Sequence, residues 1–283
     1  MASFTNFATL SYNGGTTNSN IVTGEILEAL TAVKTAVSAN YSAGDRITYA
    51  LSLVNTGTAA VTDYTVTDNL GGYTVGANTV YPLAYNAGTV RYYINGVLQA
   101  APTVTAGPPL TVTGLTVPAG GNAVLIYETT ATPVAPLATG SSITNTATIT
   151  GGGLTTPITA QATVETANSA DLTISKALSP TTVTENGQIT YTFVISNTGN
   201  TEATATGNVV VTDTFDPILR NIAVTYNGTA WTEGTNYTYN AATGVFTTLA
   251  GQITVPAATF TQNTDGTFTV TPGTATLVIT GTV

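Results

Sequence analysis

Three residue types in this chain can combine into chemistry that needs no cofactor: a lysine, an aspartate and an asparagine held out of water. Two of the five basic residues, Lys34 and Lys176, close the alternating runs Leu30-Thr31-Ala32-Val33-Lys34 and Leu172-Thr173-Ile174-Ser175-Lys176. Asp68 and Asp213 share a strand face with Val66 and Val211 in the repeated Val-Thr-Asp triplet. Asn145 takes an inward position in Ile143-Thr144-Asn145-Thr146-Ala147-Thr148-Ile149, and Asn6 holds the matching place in Phe4-Thr5-Asn6-Phe7-Ala8-Thr9-Leu10. Burial favours the neutral lysine and the protonated aspartate. The amine can then attack the carboxamide carbon while the acid polarises its carbonyl and ammonia leaves. The same side chains also suit a plain buried ion pair with asparagine hydrogen-bonded alongside, or a lysine whose head reaches solvent.

The rest of the composition narrows the field. With neither Cys nor His, the chain has no thiol nucleophile, disulfide, imidazole base or ordinary zinc site. Charged residues are 7% and the net charge is −9, so no phosphate-binding stripe can form, and neither nucleic acid nor an anionic membrane is an expected partner. No apolar run approaches a membrane helix, and the start lacks the pattern of a secretory signal. Asp63, Asp68, Asp213 and Asp216 have no calcium-loop spacing, so neither metal nor cofactor is expected. The paired carboxylates of a glycosidase have no candidate, and no enzymatic activity is expected.

Positioning falls to strands. The 28 Gly and 12 Pro punctuate Val-, Ile-, Thr- and Tyr-rich runs, which predicts an all-β chain. Asp45-Arg46-Ile47-Thr48-Tyr49 through Asn55-Thr56-Gly57 recurs as Gly187-Gln188-Ile189-Thr190-Tyr191 through Asn197-Thr198-Gly199, and the Asn95-Gly96 hairpin signal recurs as Asn227-Gly228. Alternation is clear in Leu172, Ile174, Lys176 and Leu178, in Val209, Val211 and Asp213, and in Val124, Ile126 and Glu128. Turn signals at sandwich spacing predict two tandem immunoglobulin-like β-sandwich domains, 26–166 and 167–283, preceded by an N-terminal donor β-hairpin at 1–25.

The run Asp171-Leu172-Thr173-Ile174-Ser175-Lys176, with Gly187-Gln188-Ile189-Thr190-Tyr191, Asn197-Thr198-Gly199 and Val211-Thr212-Asp213, resembles the repeat called domain of unknown function eleven of bacterial and archaeal surface proteins. The resemblance implies immunoglobulin-like sandwiches in envelope or spore-surface proteins without enzymatic activity. The chain departs from that pattern in showing neither signal peptide nor wall anchor, which leaves the export route open. A buried Lys34, Asp68 and Asn145, and likewise Lys176, Asp213 and Asn6, resemble the isopeptide-forming triad of Gram-positive collagen-adhesin domains.

The segment Phe4–Ser11 matches Ile143–Thr150, which closes the first domain, whereas after Ala275-Thr276-Leu277-Val278-Ile279 the chain reaches Val283 without a third copy. The second domain is therefore expected to lack its closing hairpin. The N-terminal hairpin of another copy is expected to supply it, with Phe4, Asn6, Phe7, Ala8, Leu10, Tyr12, Leu277 and Ile279 at the polymerisation interface. A head-to-tail contact of this kind builds a filament. These readings imply a self-assembling subunit of an extracellular, cell-surface or spore-surface fibre, with copies of itself and an unknown anchoring protein as partners. Two alternatives stand beside it: an extra hairpin packed on the first domain, and an adhesin arm presenting Trp231, Tyr237 and Tyr239 to a glycan or receptor.

Overall fold

The computed structural model describes residues 2–26 and 29–283. It is built from β-strands, and among the described residues the only helical element is the short turn Ala205–Gly207. The chain divides into two compact units, one holding residues up to Ala135 with Ser142–Glu165, the other Pro136–Ser141 with Thr166–Val283.

The first unit contains a sandwich of two antiparallel sheets. One runs Val97–Leu98, Arg91–Ile94, Asn122–Ala131, Arg46–Asn55, Leu30–Ala36; the other runs Thr103–Thr105, Leu110–Val117, Val61–Asp68, Ser142–Gly151, Ile158–Thr166, Asn40–Tyr41. Strict alternation makes the core: Ile47, Tyr49, Leu51 and Leu53 are wholly buried from one sheet, and Ile143, Ala147 and Ile149 face them from the other. The Asn95-Gly96 pair has positive φ at both residues, 47° and 80°, which joins the Arg91–Ile94 strand to Val97–Leu98 in a two-residue turn.

In the second unit the principal sheet repeats this order: Leu172–Ser179, Gln188–Asn197, Gly273–Thr282, Arg220–Tyr226, Thr229–Trp231. Its register is also that of the first, since Lys176 pairs with Phe193 and Leu178 with Tyr191 as Lys34 pairs with Leu51 and Ala36 with Tyr49. The facing sheet has only three strands, Thr212–Thr214, Val245–Thr248 and Tyr237–Asn240. In the first unit the Asp68 strand lies between Leu110–Val117 and Ser142–Gly151. The Asp213 strand pairs with Val245–Thr248, and among the described residues nothing pairs with its other edge.

The N-terminal segment is a two-tier hairpin. Ala2–Asn6 pairs with Val22–Ile26, and Thr9–Tyr12 with Gly15–Asn18. The segment that matches the unbroken Ser142–Gly151 strand is interrupted here at Phe7–Ala8, because three residues of the return strand, Ser19–Ile21, stand opposite two. Ser19 bridges the gap, its N–H donating to the Ala8 carbonyl at 2.8 Å and its Oγ accepting from the Ala8 N–H at 2.9 Å. The Phe4 ring lies over Gly24, where a Cβ would come within 2.4 Å of it, and Tyr12 covers Gly15 in the same way. Phe4, Phe7, Leu10 and Tyr12 are all more than half exposed, so the hairpin does not bury its apolar side chains against the unit that carries it.

One polar staple appears in both units. Asn55 is buried, and its Nδ2 donates to the carbonyls of Ala59 at 2.8 Å, Pro118 at 3.0 Å and Val117 at 3.3 Å while its Oδ1 accepts from the Gly57 N–H. Asn197 does the same with Thr201, Pro256, Val255 and Gly199. The Asn-Thr-Gly signature is thus a tie between the end of a core strand and the loop or strand end facing it. Asn55→Ala or Asn197→Ala strands several buried carbonyls, and each should lower unfolding free energy by about 3 kcal/mol in urea titrations followed by tyrosine and tryptophan fluorescence. A loss below about 0.5 kcal/mol would show that the staple is incidental.

Candidate functional site

Lys34 comes from the edge strand of one sheet, Asp68 and Asn145 from neighbouring strands of the other. Asp68 pairs across the ladder with Ala147, two residues from Asn145, so both polar side chains enter the core from the same face. The Lys34 Nζ donates to Asp68 Oδ2 at 2.5 Å, with the two side chains 0% and 1% exposed. Tyr127 donates its hydroxyl to the same oxygen, and Asp68 Oδ1 accepts from the Leu70 N–H at 2.9 Å. The ammonium sits over the Tyr49 ring, 4.8 Å from its centroid, and 5.8 Å from that of Tyr127, the two rings being stacked. Burial holds the Lys34 amine at about 8, against an ordinary value of 10.5, although Asp68 pulls the other way.

Asn145 is the anomaly. It is wholly buried, and its carboxamide has the Tyr49 and Tyr127 hydroxyls as its hydrogen-bonding neighbours, in contacts that fall short of full hydrogen-bond geometry. A primary amide in that position costs several kcal/mol unless something satisfies it. Burial, with the Asp68 charge close by, drives the pKa of both tyrosine hydroxyls upward, so they remain donors across the whole working range.

The second unit holds half of this arrangement. Lys176 donates to Asp213 Oδ2, and its ammonium lies 4.5 Å from the Tyr191 ring centroid, 5.4 Å from that of Phe193 and 5.6 Å from that of Phe215. Its side chain is 41% exposed where that of Lys34 is closed off, and on the same strand Ile174 is 55% exposed and Leu178 38%. No counterpart of the Ser142–Gly151 and Ile158–Thr166 hairpin covers that face among the described residues. Ile279, paired with Tyr191, stands where Tyr127 pairs with Tyr49, so Asp213 has no tyrosine donor.

Among the other sequence expectations, Leu277 and Ile279 are corrected. Both are wholly buried in a central strand paired on both sides, so they support the core and cannot meet another chain directly. Asn6, Ala8 and the apolar Phe4, Phe7, Leu10 and Tyr12 are exposed on the hairpin. Tyr237 is a core residue packed on Phe246, Trp231 stacks on Tyr226, and Tyr239 donates to the Leu219 carbonyl, so these aromatics form no open sugar platform. Among the described residues no group of three or more acidic side chains could hold a metal ion. No helix there is long and apolar enough to cross a membrane. Sequence reasoning missed Tyr49 and Tyr127 as members of the site. Their signal was the inward position of each tyrosine in its strand, Tyr127 in phase with Ala123 and Leu125.

No protein-family profile and no curated protein matches the chain. Solved structures with a similar arrangement of strands include a variant of the major pilin subunit of Bacillus cereus, at 14% identity and a TM-score of 0.40 over 96% of this chain and 73% of that one. The pilus backbone protein from Streptococcus pneumoniae matches at 13% and 0.36 over 86% of this chain, which spans 55% of that protein. A C-terminal fragment of the major pilin of Streptococcus agalactiae matches at 13% and 0.36 over 79% of each. All three scores lie below 0.5, so function is argued from this chain's own residues.

Proposed function

We propose that this chain is a structural subunit of an extracellular or spore-surface filament, assembled head to tail by strand complementation. The observation that carries the reading is the difference between two copies of one strand. Leu30–Ala36 lies under a closing hairpin with Lys34 sealed in, whereas Leu172–Ser179 has the same register and chemistry but an uncovered face. The N-terminal hairpin matches the missing piece in sequence and leaves its own apolar face uncovered, and an unpaired edge beside an open core is a template for such a strand. In the docked register Ala8 stands opposite Asp213 as Ala147 does opposite Asp68, and Leu10 takes the place of Ile149. Such a contact is heterologous, and repeated without closing a ring it adds copies into a filament.

Within this reading the first unit is a load-bearing spacer locked by an amide between Lys34 Nζ and Asn145 Cγ. The amine attacks the carboxamide carbon, the new C–N bond forms, the bond to Nδ2 breaks, and ammonia leaves with the proton given up by the amine. This removes the poorly satisfied amide nitrogen from the core. The ion pair and the neutral amine with protonated Asp68 hold the same single proton, so the reactive form arises by transfer within the pair.

Two experiments test these claims. Deleting residues 2–22 should abolish fibres in electron micrographs. Leu10→Asp should raise the concentration needed for assembly at least roughly tenfold, because an unpaired charge on the inserted face is costly to desolvate, while Thr9→Asp on the other face has a smaller effect. Fibres from the deletion variant, or equal effects at the two positions, would refute complementation. For the internal bond, the intact mass should be roughly 17 Da below the sequence mass, and Asp68→Ala should restore it. With protein refolded from inclusion bodies, the bond should form at a rate that falls as pH rises past about 8, where the pair loses its shared proton and with it the acid. A full sequence mass in the folded protein would reduce the three residues to a buried polar cluster.

A further inference from the structure

We infer that Lys176 is a covalent acceptor site for Asn6 of a second copy of this chain, so that each docking event is sealed by an amide bond between subunits. The inference rests on the head-to-tail reading and adds to it a chemical step that docking alone does not require.

Among the described residues the second unit repeats the lysine-aspartate pair of the first without an amide beside it. Lys176 is held by Asp213 and lies over Tyr191, as Lys34 is held by Asp68 and lies over Tyr49, and the two lysines occupy the same register position. What the second unit lacks is an amide and a cover: no strand pairs with the free edge of Thr212–Thr214 among the described residues, and the Lys176 side chain stays 41% exposed. The hairpin of another copy supplies both at once. If its Ala8 takes the position of Ala147, Asn6 takes that of Asn145, inward and two residues away, and Phe4 takes that of Ile143. Docking thus removes Lys176 from water in the same act that delivers the carboxamide.

The step balances without a co-reactant. The Lys176 ammonium passes its proton to Asp213, the free amine adds to Asn6 Cγ of the incoming copy, the carbonyl oxygen accepts a hydrogen bond from the protonated acid, and the bond to Nδ2 breaks. One ammonia leaves for each amide formed. An undocked subunit has no carboxamide beside its water-exposed Lys176, so it stays unreacted, and covalent growth is confined to correctly paired chains.

The test uses full-length chains and two variants that cannot react with themselves. Asn6→Ala keeps the acceptor and lacks the amide, and Lys176→Arg keeps the amide and a cation for Asp213. Wild-type fibres boiled in detergent should give a ladder of multimers, and a tryptic digest should contain the Asn6 peptide joined to the Lys176 peptide with loss of one ammonia. Each variant alone should form fibres that dissolve to monomer. Their mixture should give one detergent-resistant dimer and nothing longer, because each covalent pair uses the only amide and the only acceptor available. Wild-type fibres that collapse wholly to monomer would overturn the bond and leave the docking contact standing. A linked peptide without any dimer in the mixture would place the bond within one chain, which also overturns it. Absence of both fibres and multimers would overturn the bond together with the head-to-tail reading.

Discussion

A lysine and an aspartate cannot both be held ionised out of water without compensation, and what compensates one such pair organises this molecule. In the first unit the compensation is complete in charge and incomplete in hydrogen bonding. Lys34, Tyr127 and the Leu70 N–H satisfy Asp68, while Asn145 beside them has only the Tyr49 and Tyr127 hydroxyls to face, short of full hydrogen-bond geometry. Such a cluster persists only because two sheets close over it, and the hairpin Ser142–Gly151 with Ile158–Thr166 is the part that closes it. The second unit keeps the pair and its aromatic floor without that lid, which leaves Lys176 wet and Ile174 and Leu178 uncovered. The two copies therefore differ in one respect, the cover over the lysine-aspartate pair, and the proposed docking surface and chemical site both rest on that difference.

The features that both units retain locate the constraint. Each has its buried Asn-Thr-Gly tie, its Asn-Gly turn and its lysine strand in one register, so the principal sheet is assembled in the same way twice. The second core is also made differently. Phe215 and Phe246 fill space under Tyr191 and Tyr237, and that aromatic packing lets a three-stranded facing sheet suffice.

Much of this was legible in the sequence. The all-β class followed from alternation and turn residues, and Asn95-Gly96 and Asn227-Gly228 form the turns they signal. Lys34, Asp68 and Asn145 meet because the period of two fixes which residues face inward once their neighbours are apolar. Three things escaped. The alternation of Val124, Ile126 and Glu128 is real, but it marks the outer face of a strand whose inner face carries Ala123, Leu125 and Tyr127, and apolar residues on both faces hide the phase. Leu277 and Ile279 do not line the expected interface, because pairing on both sides puts their strand at the centre of its sheet, which composition does not reveal. The extra residue in the hairpin's return strand leaves no signature in composition, since it depends on which partner each residue finds.

The central claim is that the open edge of the Asp213 strand receives the hairpin of another copy, and hydrogen exchange tests it directly. Backbone amides of Thr212–Thr214 in the dispersed protein should exchange as an unpaired edge does, and after assembly they should slow together with those of Phe4–Leu10, because a new ladder joins the two segments. Amides of Tyr64–Asp68, already paired on both sides, should not change. Fibres in which the Thr212–Thr214 amides exchange as fast as in the dispersed protein would contradict the account.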